Sequence, residues 1–331
     1  MNKTIFIAEA GVNHNGKMTI AKKLIDAAKK ADADYVKFQI FKTDNLVTKK
    51  SPLAEYQKIN IGKNTTQYNM LNKLELSHEQ HLSLIKYCKK KKIKYLASVF
   101  DIESLNFLKK NSSSIKIPSG EITNYQLLSE IKKKKFSEIF LSTGASKMNE
   151  VKKAVNILGK KNLYLLHANS EYPTKNIQDI NLNVIKTLKK IFNIDKVGYS
   201  DHTIYREVPI ISVALGAKVI EKHFTINKKM KGPDHKASLS PTELIQAVAD
   251  VKKTNLLLGS YEKKPSSSEK KNIKIIRKSL VAKKKIKKGE ILSDQNITFK
   301  RPQSKNNAEL YFKVLGNKSK KNFKKDQVIK F

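Results

Sequence analysis

The sequence has little of several residue types, and each scarcity excludes a class of protein. Its 331 residues include a single cysteine, Cys88, so no disulfide forms within one chain, which fits a reducing cytoplasm. No apolar run approaches the ~20 residues of a membrane span. The first residues also lack the apolar core of a secretory signal. We therefore expect a cytoplasmic protein with no membrane partner.

Arginine is scarce too, and this scarcity decides how the positive charge is interpreted. The formal net charge of +38 would by itself indicate a binder of nucleic acid or acidic membranes. Yet the arginines are only Arg206, Arg277 and Arg301, and lysines are spread along the whole chain without the interleaved aromatic residues of single-strand binding surfaces. We interpret the lysines as a solvated surface and expect no specific nucleic acid partner. A non-catalytic, basic nucleic-acid-binding protein is the rival hypothesis.

Short β-type runs alternate with helix-period stretches as far as about residue 259. In the first helical stretch, Ile20, Leu24, Ile25 and Ala28 share one face. Eight such strand–helix units within ~260 residues predict a parallel sheet closed into a (β/α)8 TIM barrel. The predicted strands are Thr4–Ala10, Tyr35–Ile40, Lys94–Val99, Ser114–Ile117, Glu138–Ser142, Leu163–His167, Lys196–Tyr199 and Lys218–Glu221.

A change of pattern after residue 259 predicts a second, smaller domain. Residues 260–272 are polar and contain one proline, and we interpret them as a linker. From residue 273 onward, short strand-like pieces alternate with turn signals such as Lys288-Gly289. The predicted organisation is an α/β barrel over residues 1–259, a linker over 260–272 and a small mainly-β domain over 273–331.

Polar side chains stand at the predicted carboxyl ends of the strands, where proteins of this fold carry their active sites. The polar segment Gln57–Lys73 is longer than a minimal βα loop, so we expect it to cover a substrate. We therefore predict an active site at this face. Its strand-end residues include Glu9, Lys37, Gln39, Ser98, Lys116, Ser119, Glu121, Ser142, Ser170, Tyr172, Ser200, His202 and His223.

Two lysines of this face lie in strands that are otherwise apolar. A buried lysine keeps its charge only beside an anion, and neighbouring hydroxyls can donate hydrogen bonds to phosphate or carboxylate oxygens. The alternative is that both lysines extend to water and bind nothing. The predicted anion pocket consists of Lys37, Lys116, Ser98, Ser119, Ser142 and Ser200.

His202 and His223 end consecutive predicted strands, whose axes lie about 5 Å apart. Their imidazoles can converge on one divalent cation, and Mn²⁺, Mg²⁺ or Co²⁺ is favoured over structural zinc because cysteine ligands are absent. The alternative is that each is an ordinary buried histidine. His78 and His81 fall in a predicted helix, and we interpret them as surface residues.

Two carboxylates are candidates for acid–base or binding roles. Glu9 ends the first predicted strand, where it can position a water or move a proton. The alternative for Glu9 is a structural salt bridge. Asp234 follows Gly232-Pro233 and is either a turn residue or a ligand of a sugar hydroxyl.

A series of motifs runs through the chain in order. The barrel contains IAEAGVNHNG (7–16), VKFQ (36–39), KIPSGE (116–121), LSTG (141–144), GYSDHT (198–203), EKHFT (221–225) and GPDH (232–235). The tail contains SLVA (279–282), IKKGE (286–290) and NITFKRP (296–302). The first set closely resembles the bacterial N-acetylneuraminate (sialic acid) synthases, and the second resembles their C-terminal SAF (antifreeze-like, β-clip) domain.

This resemblance implies a metal-dependent condensation of phosphoenolpyruvate with N-acetylmannosamine, or a related N-acetylated amino sugar. The products would be an N-acetylneuraminate-type nonulosonic acid and phosphate. The alternative within the group is a legionaminate or pseudaminate synthase that uses a 2,4-diacetamido-trideoxy hexose. The resemblance also implies a domain-swapped homodimer, and a metal, most often manganese, held by His202 and His223.

The resemblance further implies roles for individual residues. The predicted anion pocket would bind phosphoenolpyruvate, and the catalytic residues would be Glu9, Lys37, Lys116, His202 and His223. Contacts with the sugar are implied for Gln39, Glu121, Ser170, Tyr172, Asp234 and, from the neighbouring subunit, Arg301. The choice of sugar stays open because the chain departs from the family pattern at Val99, Ala168, Ser170 and Gln303.

Overall fold

The structure, a computed structural model, describes residues 4–61, 65–304 and 309–330. The chain divides into two compact units, Met1–Gly259 and Ser260–Phe331. Residues 260–272, predicted to be a linker, are not wholly irregular, because a helix over Ser267–Ile276 begins inside them. The side chains of Ser266 and Glu269 cap this helix reciprocally, which explains why it begins there.

The first unit is a closed barrel of eight parallel strands in chain order, as the alternating pattern predicts. The strands are β1 (Ile5–Gly11), β2 (Tyr35–Ile40), β3 (Lys94–Val99), β4 (Ser114–Ile117), β5 (Glu138–Ser142), β6 (Leu163–Ala168), β7 (Val197–Asp201) and β8 (Val219–His223). The ring closes where β1 pairs with β8, Glu9 opposite His223. Strands β6 to β8 end one or two residues later than predicted, so His223 lies within β8 and His202 directly follows β7.

Helices connect the strands and pack on the outside of the barrel. They are α1 (Met18–Lys30), α2 (Thr43–Leu46), α3 (Glu55–Ile61), α4 (Gln67–Leu74), α5 (His78–Lys91), α6 (Ile102–Asn111), α7 (Tyr125–Lys133), α8 (Met148–Leu158), α9 (Val184–Phe192), α10 (Glu207–Ala214) and α11 (Pro241–Leu258). The predicted apolar face of α1 is buried through Leu24, Ile25 and Ala28. Ser240 and Glu243 form a capping box at the start of α11.

The segment Gln57–Lys73, predicted as a covering loop, is largely helical where the structure describes it, because it contains most of α3 and α4. Thr66 caps α4 by accepting a hydrogen bond from Asn69 N. Met70 and Leu71 of α4 pack in one apolar cluster with Val12, which follows β1. The segment is therefore attached over the carboxyl end of β1.

Inside the barrel, an apolar layer lies below a polar one. The apolar layer contains Ile7, Tyr35, Leu96, Phe140, Leu166 and Val219. Gly198 faces β8 at this level, where a Cβ would lie 2.4 Å from Val219 O. Because side chains alternate along a strand, the residue two positions further on again faces inward. The next layer, toward the carboxyl ends, therefore receives Glu9, Lys37, Ser98, Ser142 and Glu221.

The second unit is built on a small antiparallel sheet, as the pattern of the tail predicts. The sheet pairs β9 (Ser279–Ala282) with β10 (Ile297–Lys300). Helices α12 (Ser267–Ile276) and α13 (Leu310–Val314) complete the unit. Its core consists of Leu280, Ala282, Ile286, Leu292, Ile297, Val314, Phe323 and Ile329. In the described parts of either unit, no helix has the length and apolarity needed to cross a membrane.

Candidate active site

Four charged side chains meet in the barrel interior, near the carboxyl ends of β1, β2, β4 and β8. Lys37 Nζ lies 2.9 Å from Glu9 Oε1 and 3.6 Å from Glu221 Oε1. Lys116 Nζ lies 3.5 Å from the same oxygen of Glu221. Each of these side chains is at most 4% exposed. The structure thus brings two predicted lysines and Glu9 into one buried cluster, which we call the charged cluster.

Serine hydroxyls contact this charged cluster at three positions that the sequence singled out. Lys37 Nζ donates a hydrogen bond to Ser98 Oγ at 3.0 Å. Lys116 Nζ donates to Ser142 Oγ at 2.6 Å. Ser200 Oγ donates to Glu221 Oε1 at 2.8 Å. Buried ammonium groups, hydroxyls and a shared carboxylate therefore form one connected network.

Ser119 lies in the turn after β4 rather than in the charged cluster. Its Oγ accepts a hydrogen bond from Gly144 N at 3.0 Å. A Cβ at position 144 would lie 2.4 Å from Ser170 Oγ and 2.8 Å from Ser119 Oγ, so any side chain there would displace these hydroxyls. Two hydroxyls and a backbone N–H consequently converge beside the barrel mouth, a combination that suits anionic oxygens.

Burial and charge pairing set the protonation of the charged cluster. Burial lowers the pKa of Lys116 to about 8, since attraction to Glu221 offsets only part of the desolvation. Burial also acts to lower the pKa of Lys37, but Glu221 and Glu9 outweigh it and the pKa is raised. For Glu221, burial is outweighed by both lysines, and its pKa falls to about 2. Burial raises the pKa of Glu9 against the opposing pull of Lys37. Lys116 is therefore the ammonium of the cluster that loses its proton first.

Glu221 is the site residue that sequence reasoning missed. The predicted eighth strand ended at Glu221, whereas β8 continues to His223, so both residues face inward with one residue between them. The spacing itself was the available signal, because an inward His223 requires an inward residue at 221. Glu221 Oε2 is buried without a hydrogen-bond partner among the described residues. A buried carboxylate oxygen of this kind needs a hydrogen-bond donor, which a water or a ligand can supply.

The two predicted metal ligands lie side by side. The ring centroids of His202 and His223 are 5.5 Å apart, with an interplanar angle of 57°. His202 Nδ1 lies 2.5 Å from Asn169 O, which leaves Nε2 as the nitrogen that can reach a ligand. His223 Nδ1 is buried and has no partner within the described ranges. Burial lowers the pKa of His202 to about 4 and that of His223 well below its ordinary value, so both rings are neutral, the form that binds metals.

This donor set fits a divalent cation that takes most of its ligands from oxygen. Across residues 4–61, 65–304 and 309–330, no group of three or more His, Cys, Asp or Glu side chains is arranged to hold a metal. Water or substrate oxygens would therefore have to complete the shell around two imidazoles. Mn²⁺ accepts such a mixture of nitrogen and oxygen ligands.

Two further histidines, His78 and His81, were predicted to be surface residues of a helix, and this prediction was wrong for His81. His81 is fully buried, and its Nδ1 lies 2.9 Å from Tyr95 Oη. It occupies the face of α5 that also carries Leu84 and Cys88, three and seven residues further on, and this face is buried. His78, the first residue of α5, is half-buried, with 26% of its side chain exposed and its ring stacked on Phe107, so its interpretation as a surface residue is only partly right.

A cavity of about 570 Å³ is lined by four of the six predicted sugar-contacting residues, Gln39, Glu121, Ser170 and Tyr172. Tyr172 connects it to the histidines, since its ring centroid lies 4.1 Å from that of His202 and 5.6 Å from that of His223. Tyr56 of α3 stacks on Tyr172 with a centroid distance of 5.2 Å. The polar lining includes Gln39, Gln57, Ser119, Glu121, Ser170 and Tyr172, and the apolar lining includes Leu46, Val47, Leu71, Phe100 and Ile122.

Asp234 is not among the residues that line this cavity, and Arg301 belongs to the second unit. Asp234 is buried in the loop after β8, and burial, with a smaller contribution from Glu9, raises its pKa to about 7. Its neighbour Pro233 accepts a hydrogen bond through its carbonyl oxygen from Asn60 Nδ2 of α3, at 2.6 Å. Arg301 is exposed and directly follows β10 in the second unit. Its role toward a neighbouring subunit stays a prediction.

Fold and site together define a (β/α)8-barrel protein with a buried lysine–carboxylate cluster and a histidine pair at the carboxyl ends of its strands. A model of the NeuB family matches residues 24–263, and a model of the SAF domain matches residues 277–331. The chain belongs to the NeuB family. The resemblance stated from the sequence motifs is confirmed for both units.

Named relatives cover nearly the whole chain. The N,N'-diacetyllegionaminic acid synthase of Campylobacter jejuni is 47% identical over 336 residues, covering 100% of each chain. The enzyme of the same name from Legionella pneumophila is 42% identical and covers 89% of this chain and 85% of its own. A solved structure of the N-acetylneuraminic acid synthetase from Leptospira borgpetersenii, in complex with citrate, is 34% identical with a TM-score of 0.71, covering 82% of this chain and 90% of that one. The chain is thus similar to synthases of two different acidic sugars.

Proposed function

We propose that this protein condenses phosphoenolpyruvate with a 2,4-diacetamido-trideoxy hexose to give a legionaminic-type nonulosonic acid and phosphate. The observation that carries this proposal is the pair of buried lysines, bonded to serine hydroxyls and adjacent to the histidine pair. In the reaction, carbon 3 of phosphoenolpyruvate forms a bond to the aldehyde carbon of the open-chain sugar. Water adds at carbon 2, and the resulting tetrahedral intermediate releases phosphate.

Lys37 and Lys116 would hold the phosphate and carboxylate of phosphoenolpyruvate. In the described structure their charges are balanced by Glu9 and Glu221. An arriving trianion competes with these carboxylates for the ammonium groups, because multiply charged oxygens form the stronger hydrogen bonds. The hydroxyls that would complete the binding site are those of Ser98, Ser119, Ser142 and Ser200.

His202 and His223 would hold a divalent cation, with Mn²⁺ the first candidate and Mg²⁺ or Co²⁺ the alternatives. When bound, such a cation supplies Lewis-acid polarisation of the sugar aldehyde. Tyr172, whose ring lies against both imidazoles, would orient the sugar beside them. The chain's own residues thereby bring the aldehyde carbon next to the anion pocket.

Two carboxyl groups are suited to move protons in this site. Glu9 is fully buried with Oε2 unpartnered among the described residues, so it can orient the water that adds at carbon 2. Asp234, with a pKa of about 7, can gain or lose a proton at neutral pH. Asp234 would bind a sugar hydroxyl, as predicted, and exchange a proton with it.

The choice of sugar is where the proposal departs from the first expectation. Two relatives of high identity are named for legionaminic acid synthesis, which supports the alternative hexose over N-acetylmannosamine. The cavity lining mixes polar residues with apolar ones, among them Leu46, Val47, Leu71, Phe100 and Ile122. A deoxy carbon and two acetamido methyl groups bury well against apolar atoms, whereas the extra hydroxyls of N-acetylmannosamine would lose water there.

An assay of phosphate release separates these sugars. The purified protein with phosphoenolpyruvate and Mn²⁺ is expected to turn over the 2,4-diacetamido-trideoxy hexose with a kcat/KM at least about tenfold above that of N-acetylmannosamine, because burying one unpaired hydroxyl costs ~1–3 kcal/mol. A higher value for N-acetylmannosamine would restore the first expectation. If neither sugar leads to phosphate release above background, the proposed function is overturned. The Lys116→Met variant, assayed in the same way, provides that background rate.

We also propose that the enzyme acts as a homodimer whose SAF domains are exchanged, so that Arg301 of one copy caps the sugar site of the other. Mixing an Arg301→Ala variant with a Lys116→Met variant tests this arrangement. If sites are shared between chains, subunit exchange is expected to restore up to about a quarter of the wild-type activity, since one site in four combines both intact parts. No recovery after verified exchange would contradict the shared site.

A further inference from the structure

Lys222 and Asp201 form a buried ion pair directly behind the histidine pair. Lys222 lies between Glu221 and His223, which face the barrel interior, so its own side chain points to the outside of β8. There its ammonium group contacts Asp201 Oδ2. The two side chains are 5% and 0% exposed. Because it faces away from the interior, this ammonium cannot belong to the anion pocket.

The ion pair closes a ring of hydrogen bonds around the backbone of His202. Lys222 Nζ also donates to Thr203 O at 2.8 Å, and Thr203 N donates to Asp201 Oδ1 at 2.8 Å. The residues on both sides of His202 are therefore tied to one side chain of the neighbouring strand. His202 O itself accepts from Thr174 N at 3.0 Å, which fixes the turn from the other side.

The same ion pair connects the strand ends that carry the two histidines. Asp201 and Lys222 are register partners across β7 and β8, and each is the chain neighbour of one histidine. A shift of one strand end against the other would change the separation of the two rings, which is 5.5 Å between centroids. The pair acts as a brace between the two backbone segments.

Stability alone gives no reason for charges at this place. Burying an ion pair costs desolvation that its attraction often fails to repay, and well-packed apolar residues of similar volume are commonly as stable or better. What the ion pair adds is a directional link, since three hydrogen bonds fix the turn that carries His202. Groups that hydrogen-bond to metal ligands typically change metal affinity by 10- to 100-fold when they are replaced, and this ion pair acts one step further away, through the backbone that carries the ligand.

We propose that Lys222 and Asp201 are positioning residues that hold His202 and His223 at the spacing needed to bind one divalent cation. This inference rests on the part of the proposed function that assigns a metal to the histidine pair. It does not depend on which sugar is the substrate. Neither residue has to contact the sugar or phosphoenolpyruvate for the inference to hold.

Metal binding without substrates tests this role. Lys222→Met alone would leave the Asp201 carboxylate buried without its cation, so the informative variant is Asp201→Asn/Lys222→Met, which removes both charges at similar volume. Mn²⁺ binding to the full chain is measured from the loss of the free-ion electron paramagnetic resonance signal. We expect about tenfold or greater weakening in the double variant and partial retention in Lys222→Arg.

A matched control lies at the opposite end of the same two strands. Lys218 and Asp195, which precede β8 and β7, form an ion pair with a 3.3 Å Nζ–Oδ2 distance. Lys218→Met is expected to leave Mn²⁺ affinity unchanged. If the Asp201→Asn/Lys222→Met variant unfolds cooperatively near the wild-type temperature and binds Mn²⁺ with wild-type affinity, the positioning role is overturned. Loss of cooperative unfolding would also overturn it, because the ion pair would then serve stability instead.

His202→Ala separates this inference from the proposed function. The variant is expected to lose Mn²⁺ binding altogether, since only one imidazole remains. If His202→Ala binds Mn²⁺ like the wild type, the metal site is misassigned, and the part of the proposed function that places a cation on the histidine pair fails. If His202→Ala loses binding while the double variant retains it, only the positioning role fails.

Discussion

Replacing His223 with alanine is expected to lower kcat/KM for the condensation by about a thousandfold or more. The histidine pair would hold the cation that polarises the sugar aldehyde, an effect worth several kcal/mol, and ~4 kcal/mol corresponds to about a thousandfold in rate. Because His223 is neutral and buried, its removal leaves no unpaired charge behind. The measurement is the initial rate of phosphate release at saturating Mn²⁺ with the sugar that the wild type uses.

A histidine elsewhere provides the control for this experiment. His78 begins α5 and is partly exposed, so His78→Ala is expected to keep the wild-type rate. Thermal unfolding of both variants checks that the barrel is intact. If His223→Ala retains a rate within tenfold of the wild type, the histidine pair is not part of the catalytic machinery.

Replacing Lys116 with methionine is expected to raise the Kd for phosphoenolpyruvate on the order of a hundredfold to a thousandfold. Truncating one partner of a buried, hydrogen-bonded charge pair costs ~2–5 kcal/mol. The side chain of Lys116 is 2% exposed, and its ammonium would be one of two buried cations facing the ligand. Titration calorimetry of phosphoenolpyruvate into each protein measures the change directly.

The pH dependence of the same binding has a defined sign. The pKa of Lys116 is about 8, lowered by burial, so the ammonium is charged below that pH and neutral above it. Affinity of the free wild-type protein for phosphoenolpyruvate should therefore fall as the pH rises through about 8. Lys37, whose pKa is raised, keeps its charge over this range. The Lys116→Met variant should lack the inflection.

Lys94→Met is the matched control for both measurements. Lys94 begins β3 at the opposite end of the barrel, where its Nζ donates to Tyr35 Oη at 3.2 Å. Its loss removes one positive charge without touching the charged cluster. Wild-type affinity and pH profile are expected for Lys94→Met, and an unchanged Kd in Lys116→Met would remove this lysine from the proposed binding site.

Sequence patterns predicted the barrel well because its strands and helices differ in period. Four of the eight strands, β2 to β5, end where predicted, and the remaining four, β1 and β6 to β8, continue one or two residues further. The extension of β8 matters most, because it places His223 in the same strand as Glu221, so that both side chains face the barrel interior. Hydrophobicity cannot fix the ends of β7 and β8, because the residues beyond their predicted ends, Ser200, Asp201, Lys222 and His223, are polar and therefore resemble a loop.

Side-chain exposure within a helix was harder to predict than the helix itself. His81 lies in a helix as predicted, but only packing of α5 against the barrel decides that its ring is buried beside Tyr95. The segment Gln57–Lys73 contains two helices for a similar reason. Its polarity indicated a loop, whereas Met70 and Leu71 gain burial against residues that follow the first two strands.

The sequence by itself determined a barrel and which lysines, serines and histidines stand at its strand ends, because residue type and spacing specify which groups reach those ends. Only the tertiary structure decided how those groups are paired. In that structure Glu221 forms ion pairs with both Lys37 and Lys116, and the Lys222–Asp201 ion pair lies behind the histidines. These pairings join residues from different strands, and the distance between strand ends depends on how the whole barrel closes.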